Sequence, residues 1–207
     1  MSLLDLLDYR RRTFEMYQQV RTSDLPPAQT CRQFRAQKDD LFRHHPQSAL
    51  DVEQKRSFAG LAYYSYNPAF CLTAPVDGDV EPATFDFDLG GDGAFRMRRF
   101  GQVRFTLSSG SGSLFLYWIE GYGGGLFLPF KDGTNSSETY GGGRYLYDTI
   151  KGADLGSAPD HVVLDFNYAY HPSCAYHDRW VCPLAPRENT LDFPIPAGER
   201  LRKPESA

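Results

Sequence analysis

Residues 84–119 read TFDFDLGGDGAFRMRRFGQVRFTLSSGSGSLFLYWI. In residues 84–89, Phe85, Phe87 and Leu89 fall on one face and Thr84, Asp86 and Asp88 on the other. That two-residue period marks a half-buried strand. The glycine-rich tetrapeptide 90–93 closes a hairpin. Residues 95–99 and 102–108 repeat the alternation, with Val103, Phe105 and Leu107 inward, and the Ser/Gly run 109–112 turns the chain again. Residues 114–119 are apolar on both faces, as a central strand should be.

Working outward, residues 60–66 form a first strand that turns at Asn67-Pro68, and residues 126–130, 162–167 and 190–195 read as later strands. Upstream, residues 2–20 form an amphipathic helix capped by Ser2 with Asp5, and Leu3, Leu6, Leu7, Phe14 and Tyr17 face the core. A second helix covers residues 28–42 and stops before Pro46. Short strands joined by tight turns predict a mainly β protein, an antiparallel β-sandwich or barrel with two N-terminal helices packed against it. The chain reads as a single domain, residues 1–207. It divides into a helical segment (1–57), a β-rich core (58–199) and a charged tail (200–207) that frays.

Composition narrows the function. The chain has 207 residues, with 13 Tyr and 15 Phe and a net charge of -4. A domain of this size buries roughly 70% of its unfolded surface, so it needs neither disulfide nor metal for stability. The charge balance predicts no nucleic-acid partner, which would require a basic face. Arg96, Arg98, Arg99 and Arg104 read as a solvated strand face. No apolar run approaches the roughly 20 residues of a membrane span. The N-terminal MSLLDLLDYRRRT is acidic before it is basic and lacks a long apolar core, unlike a secretory signal. These features predict a cytoplasmic protein without a membrane partner, its four cysteines reduced.

Chemistry-bearing residues crowd into residues 129–189. Gly141, Gly142 and Gly143 precede Arg144, so the backbone could form an anion nest with Arg144 as a bidentate anchor. The alternative is a glycine bulge with Arg144 paired to Glu138 or Asp132. Asp165 and Asn167 share one face of a strand and need partners, for which Arg144 and Tyr140 are candidates. Asp165 either acts as a general base or anchors the loop that follows. His171, Cys174, His177 and Cys182 follow the spacing H-x2-C-x2-H-x4-C, whose ligand types suit zinc. The same residues could instead supply a reduced thiol pair, a hairpin disulfide, or a nucleophilic Cys174 beside a histidine. Cys31 and Cys71 read as core residues. His44 and His45, at the end of the second helix, either complement its dipole or form a lid over the site.

The phrases HPQSAL (45–50), FAGLAYYSYNP (58–68), PFKDGTNSSETYGGGRYL (129–146), LDFNYAYHPSCAYHDRWVCPLAPREN (164–189) and IPAGE (195–199) cover most of the chain. In them the protein resembles the bacterial and archaeal domain-of-unknown-function family 1684. The resemblance implies a shared architecture and a shared pocket, but no particular activity. In that family the positions of His171 and His177 are typically Asn or another non-ligand, which argues against a four-ligand zinc site. Cys174, Cys182, Asp165, Asn167, Tyr170, Glu138, Tyr140 and Arg144 remain as the group tied to the family pattern.

The loops 131–144 and 167–189 are therefore expected to meet at one end of the β-domain. They would form a site walled by Phe130, Tyr140, Tyr145, Tyr170, Tyr176 and Trp180. The leading expectation is a protein that binds a small polar or anionic molecule through Tyr140, Gly142, Gly143, Arg144, Asn167 and Tyr170, with no cofactor. The alternatives are a hydrolase using Asp165 or Glu138 as general base, with Cys174 as nucleophile, and an interaction protein with no pocket chemistry.

Overall fold

The computed structural model describes residues 2–88 and 93–202. Two long helices, α1 (Leu3–Thr22) and α2 (Pro27–His44), open the chain, followed by a short α3 (Val52–Arg56). Ser2 and Asp5 form the expected capping box on α1, and Pro27 supplies the first residue of α2, where a missing N–H does no harm. Among the described residues ten strands follow: β1 (Ala62–Tyr63), β2 (Cys71–Asp77), β3 (Thr84–Asp88), β4 (Ala94–Leu107), β5 (Gly110–Ile119), β6 (Gly125–Phe130), β7 (Arg144–Asp148), β8 (Ser157–Ala158), β9 (His161–Asp165) and β10 (Glu199–Arg200).

The fold is mainly antiparallel β, a curled half-barrel sheet with the two N-terminal helices. The main sheet runs β7-β6-β5-β4-β2-β9-β8, with β3 also on β4. β4 is long enough to hold two neighbours on one edge: its first half pairs β3 and its second half pairs β2. A register shift between Arg99 and Gly101 separates the halves. A Cβ at Gly101 would come within 2.8 Å of the Val76 side chain, so the bend needs glycine. Two backbone hydrogen bonds between Tyr145 and Tyr170 (2.8 and 3.0 Å) then tie β7 to the chain leaving β9. This contact draws the two ends of the curled sheet together.

Leu114 and Leu116 of β5 enter the main core, and Tyr117 enters a second cluster with Met97, Phe127 and Tyr145. Both faces of β5 are covered over residues 114–117, within its apolar run, while Trp118 is exposed. The helices join the main core through Met16, Tyr17, Cys31, Phe34 and Leu41. Phe34 packs edge-on between Tyr17 and Tyr168, both at 4.9 Å. Among the described residues, no helix is long and apolar enough to cross a membrane.

Several sequence expectations need correction. Leu3, Leu7 and Phe14 are exposed, because the side of α1 that meets the core carries Tyr9, Met16, Tyr17 and Val20 instead. The strand expected at 60–66 shrinks to β1, which pairs with β10. Residues 190–195 form no strand. A single bridge joins Thr190 to Lys131, and the Asn189 side chain does the pairing instead, bonding Phe115 N, Phe115 O and Pro129 O. β2 was missed because Pro75 interrupts its pattern. The tail expected to fray from residue 200 is held further: Arg200 is in β10 and Leu201 N donates to Glu138 O at 2.8 Å. The turn at 90–92 and the tail 203–207 lie outside the described residues.

Arg144, the first residue of β7, is 1% exposed. Its guanidinium donates to Asp132 Oδ2 at 2.7 Å, Ile195 O at 2.8 Å, Glu199 O at 3.1 Å and Ala197 O. Asp132 Oδ1 in turn accepts from Thr134 N, Thr134 Oγ1 and Ile195 N. This pair fastens the C-terminal segment to β7. Removing one partner leaves the other charge buried and alone, which costs about 3–5 kcal/mol. Arg144→Met should therefore lower the urea midpoint by that much free energy at unchanged m-value. A loss below 1 kcal/mol would show the latch to be dispensable.

Candidate functional site

The two loops do meet, but only some of the expected residues gather there. Tyr140 N donates to His171 Nε2 at 3.2 Å. The Tyr140 hydroxyl hydrogen-bonds the Cys174 thiol, and Cys174 and Cys182 lie within hydrogen-bonding reach of each other. Tyr170 is bridged to Tyr145.

The glycine phrase is a turn and not an anion nest. Gly143 N donates to Tyr140 O at 2.9 Å, and Gly143 has φ +99 with Phe130 O close to where a Cβ would sit. Gly142 has the Tyr140 ring beside it. Both terminal nitrogens of Arg144 are taken by Asp132 and three carbonyls, the pairing that the bulge reading allowed, while its buried Nε has no partner.

Asp165 is buried but faces neither Arg144 nor Tyr140. It accepts from Asn167 N at 3.0 Å and Asn167 Nδ2 at 2.8 Å, and it meets the Cys71 thiol across the β2–β9 pair. Burial raises its pKa. Asn167 then holds Asn67 through its N–H and C=O, both at 2.9 Å. These contacts favour the loop-anchor reading of Asp165, whose neighbours are Asn167 and the Cys71 thiol. Cys71, expected in the core, is exposed.

Glu138 is exposed and accepts from the Tyr64 hydroxyl at 3.1 Å, outside any cleft. His177 is paired to Asp51 and Asp178. The zinc quartet therefore does not converge, and among the described residues no group of three or more His, Cys, Asp or Glu could hold a metal ion. His45 does not cover the site as a lid. Its Nε2 meets Asp8 at 3.2 Å, tying the end of α2 to α1.

A different set of residues organises this region. Glu199, 1% exposed, accepts from Lys38 Nζ at 2.6 Å, His171 N at 2.8 Å and the Tyr176 hydroxyl at 2.7 Å. Lys38 Nζ also lies 4.4 Å from the centre of the Tyr170 ring. Next to this centre, a cavity of about 90 Å³ opens between the helices and β7. Tyr9 and Tyr17 of α1, Lys38 of α2, Tyr145 and Asp148 of β7, and Tyr170, His171 and Cys182 of the loops line it. Lys151 stands at its edge, half-exposed, 3.5 Å from Asp148. Two of the lining residues carry an atom that is buried without a hydrogen-bond partner, the Tyr17 hydroxyl and Asp148 Oδ1. Neither residue is more than 3% exposed. An unpaired buried polar group costs about 1–3 kcal/mol, so two around one cavity call for an occupant.

Sequence reasoning passed over most of these groups. Tyr17 read as core, and Asp148 sits in a strand whose pattern was missed. Lys38 did carry a signal, since it falls four residues after Phe34 and four before Phe42, on the apolar face of α2. Glu199 lay in the IPAGE phrase, but nothing local showed that its carboxylate would be buried.

Burial pushes the His171 pKa down to about 4, against the opposing pull of Glu199. Because Nε2 accepts from Tyr140, the neutral ring carries its proton on Nδ1, 3.7 Å from Glu199. Burial also opposes the charge on Glu199, but Lys38 and His171 outweigh it and its pKa is lowered. Between pH 6.5 and about 4 the unfolded chain binds a proton at His171 that the folded chain refuses. Stability is therefore full above 6.5 and falls as pH drops through that window, by on the order of 3 kcal/mol. His171→Gln, which keeps an acceptor for Tyr140, should flatten this part of a melting-temperature profile. An unchanged slope would mean that other groups cause the acid loss.

Comparison with known proteins agrees with this architecture. The solution NMR structure of an uncharacterized protein from Haloarcula marismortui is similar, with 31% sequence identity and a TM-score of 0.58. The match covers 84% of this chain and 93% of that one. No curated protein is similar enough to count as a relative. The family model for DUF1684, described as a protein of unknown function, matches residues 56–200, so the chain belongs to that family.

Proposed function

We propose that this protein binds a small polar organic molecule in the cleft between the N-terminal helices and β7, and that it does so in the cytoplasm. The observation that carries the reading is the pair of buried, unpartnered polar atoms on residues that line the cleft, the Tyr17 hydroxyl and Asp148 Oδ1. Asp148 Oδ1 can only accept, so the ligand must carry a donor such as an amine or a hydroxyl. The rings of Tyr9, Tyr17, Tyr145 and Tyr170 suit a flat or cationic group. A cavity of about 90 Å³ holds a few non-hydrogen atoms, so the ligand is small or inserts one end. The cytoplasm is the compartment in which four cysteines would stay reduced, as the sequence leads one to expect.

The hydrolase alternative has less support. Asp165 and Glu138 do not reach the cleft, and Cys174 has Tyr140 and Cys182 as partners in place of a histidine base. The notion of an anionic ligand loses support, since both terminal nitrogens of Arg144 are already taken.

A thermal-shift panel of small amines, amino alcohols and polyols tests the reading. A ligand at a hundred times its Kd adds about 2.7 kcal/mol of stability. Tyr17→Phe and Asp148→Asn should abolish the shift. Asp148→Asn keeps the shape of the side chain and gives up the contact with Lys151, which is half-exposed and therefore worth little, so the free protein should stay within about 1 kcal/mol of the parent. A ligand that shifts all three proteins equally binds elsewhere and would refute this assignment.

A further inference from the structure

We propose that Cys174 and Cys182 form a reversible dithiol–disulfide couple, in which Cys174 attacks a low-molecular-weight disulfide and Cys182 resolves the mixed disulfide. This inference stands apart from the ligand reading.

Its basis is geometric. Cys174 lies in a short 3-10 turn (Ser173–Ala175), and its N–H donates to Cys182 Sγ at 3.4 Å. Both residues are partly exposed, so a small molecule can reach the sulfurs. The segment between them is pinned from outside. The Tyr176 hydroxyl holds Glu199, Arg179 reaches Ser48 O and Leu50 O, Trp180 Nε1 donates to Ala49 O, and Tyr145 bonds Pro183 O. The two sulfurs are therefore brought together by a fixed frame and not by a chance meeting of a free loop.

The two thiols differ as an attacking and a resolving sulfur should. The hydrogen bond from Cys182, and then that from Tyr140, bring the Cys174 pKa down to about 6 against the effect of burial. The same contact, with burial, pushes Cys182 up. Elsewhere in the protein, burial raises Cys31 to about 11 and Cys71 to about 12. Burial thus disfavours the thiolate at Cys31 and Cys71, while Cys182 and Tyr140 favour it at Cys174.

The step balances as a thiol–disulfide exchange. The Cys174 thiolate attacks one sulfur of R–S–S–R, forming a Cys174–S–S–R bond and releasing RS⁻. Cys182 gives up its proton and attacks Cys174 Sγ, which releases a second RS⁻. The protein loses two electrons and two protons, and the small disulfide becomes two thiols.

The reduced full-length protein, equilibrated anaerobically in glutathione buffers of decreasing reduced-to-oxidised ratio, tests the proposal. Samples are quenched in acid, alkylated and digested for mass spectrometry. The expected result is a cross-linked Cys174–Cys182 peptide lighter by two hydrogens and reversed by dithiothreitol, with Cys31 and Cys71 alkylated throughout. Under limiting alkylation at pH 7, Cys174 should react at least about tenfold faster than Cys71. Cys182→Ser should trap one glutathione on Cys174, and Cys174→Ser should trap none on Cys182. The proposal fails if the wild-type protein stops at a mixed disulfide, if both thiols stay alkylatable in the most oxidising buffer, or if Cys31 or Cys71 oxidises first. The wild-type readout needs no variant to fold.

Discussion

The buried ion pair between Arg144 and Asp132 is the constraint from which the rest of this structure follows. Its guanidinium fork holds three carbonyls of the C-terminal segment, at Ile195, Ala197 and Glu199. That places β10 beside β1 and delivers the Glu199 carboxylate into the interior. Glu199 then holds Lys38 of α2, the backbone of His171 and the hydroxyl of Tyr176. One arginine thus connects a sheet edge, the chain end, a helix and a long loop. Replacing such a network with apolar groups is often neutral, but breaking it at one member is severe, since every other member is left desolvated and unpaired.

This network also builds the cleft. Lys38 is neutralised by Glu199 and packed over Tyr170, so the helix can bury a cation on its apolar face. The tyrosines around it separate α1 and α2 from β7 widely enough to leave space. Among the residues that line this space, Tyr17 and Asp148 each carry a buried polar atom without a partner. Proteins tolerate unpaired buried groups at sites of function and offset them elsewhere. The Cys174–Cys182 pair occupies the adjoining wall, where Tyr140 and Cys182 favour the thiolate on one sulfur alone.

The antiparallel sheet was legible in the sequence wherever one face met the core and the other met water. The alternation of residues 84–88 became β3, and the apolar run of 114–119 became the end of β5. Where local pattern and tertiary need diverged, reading failed. Pro75 hid β2, and the leucines of α1 suggested a buried face that the helix leaves exposed. The crowding of reactive groups in residues 129–189 did indicate where two loops meet. It did not indicate which side chains would face each other. Asp165 turned to Asn167 and Cys71, His177 to the surface, and Arg144 to the chain end.

The sequence by itself therefore determined the fold class, the helix caps and the region of the site, because periodicity and capping are local properties that neighbouring residues settle among themselves. Tertiary structure alone decided that Lys38 meets Glu199, that Arg144 meets the backbone of the C-terminal segment, and that Tyr17 and Asp148 share a cavity. Those pairings join residues far apart in the chain, 51 positions for Arg144 and Ile195 and 161 for Lys38 and Glu199. A side chain's partner at such range is chosen by packing, through the desolvation that makes an unpaired polar group intolerable.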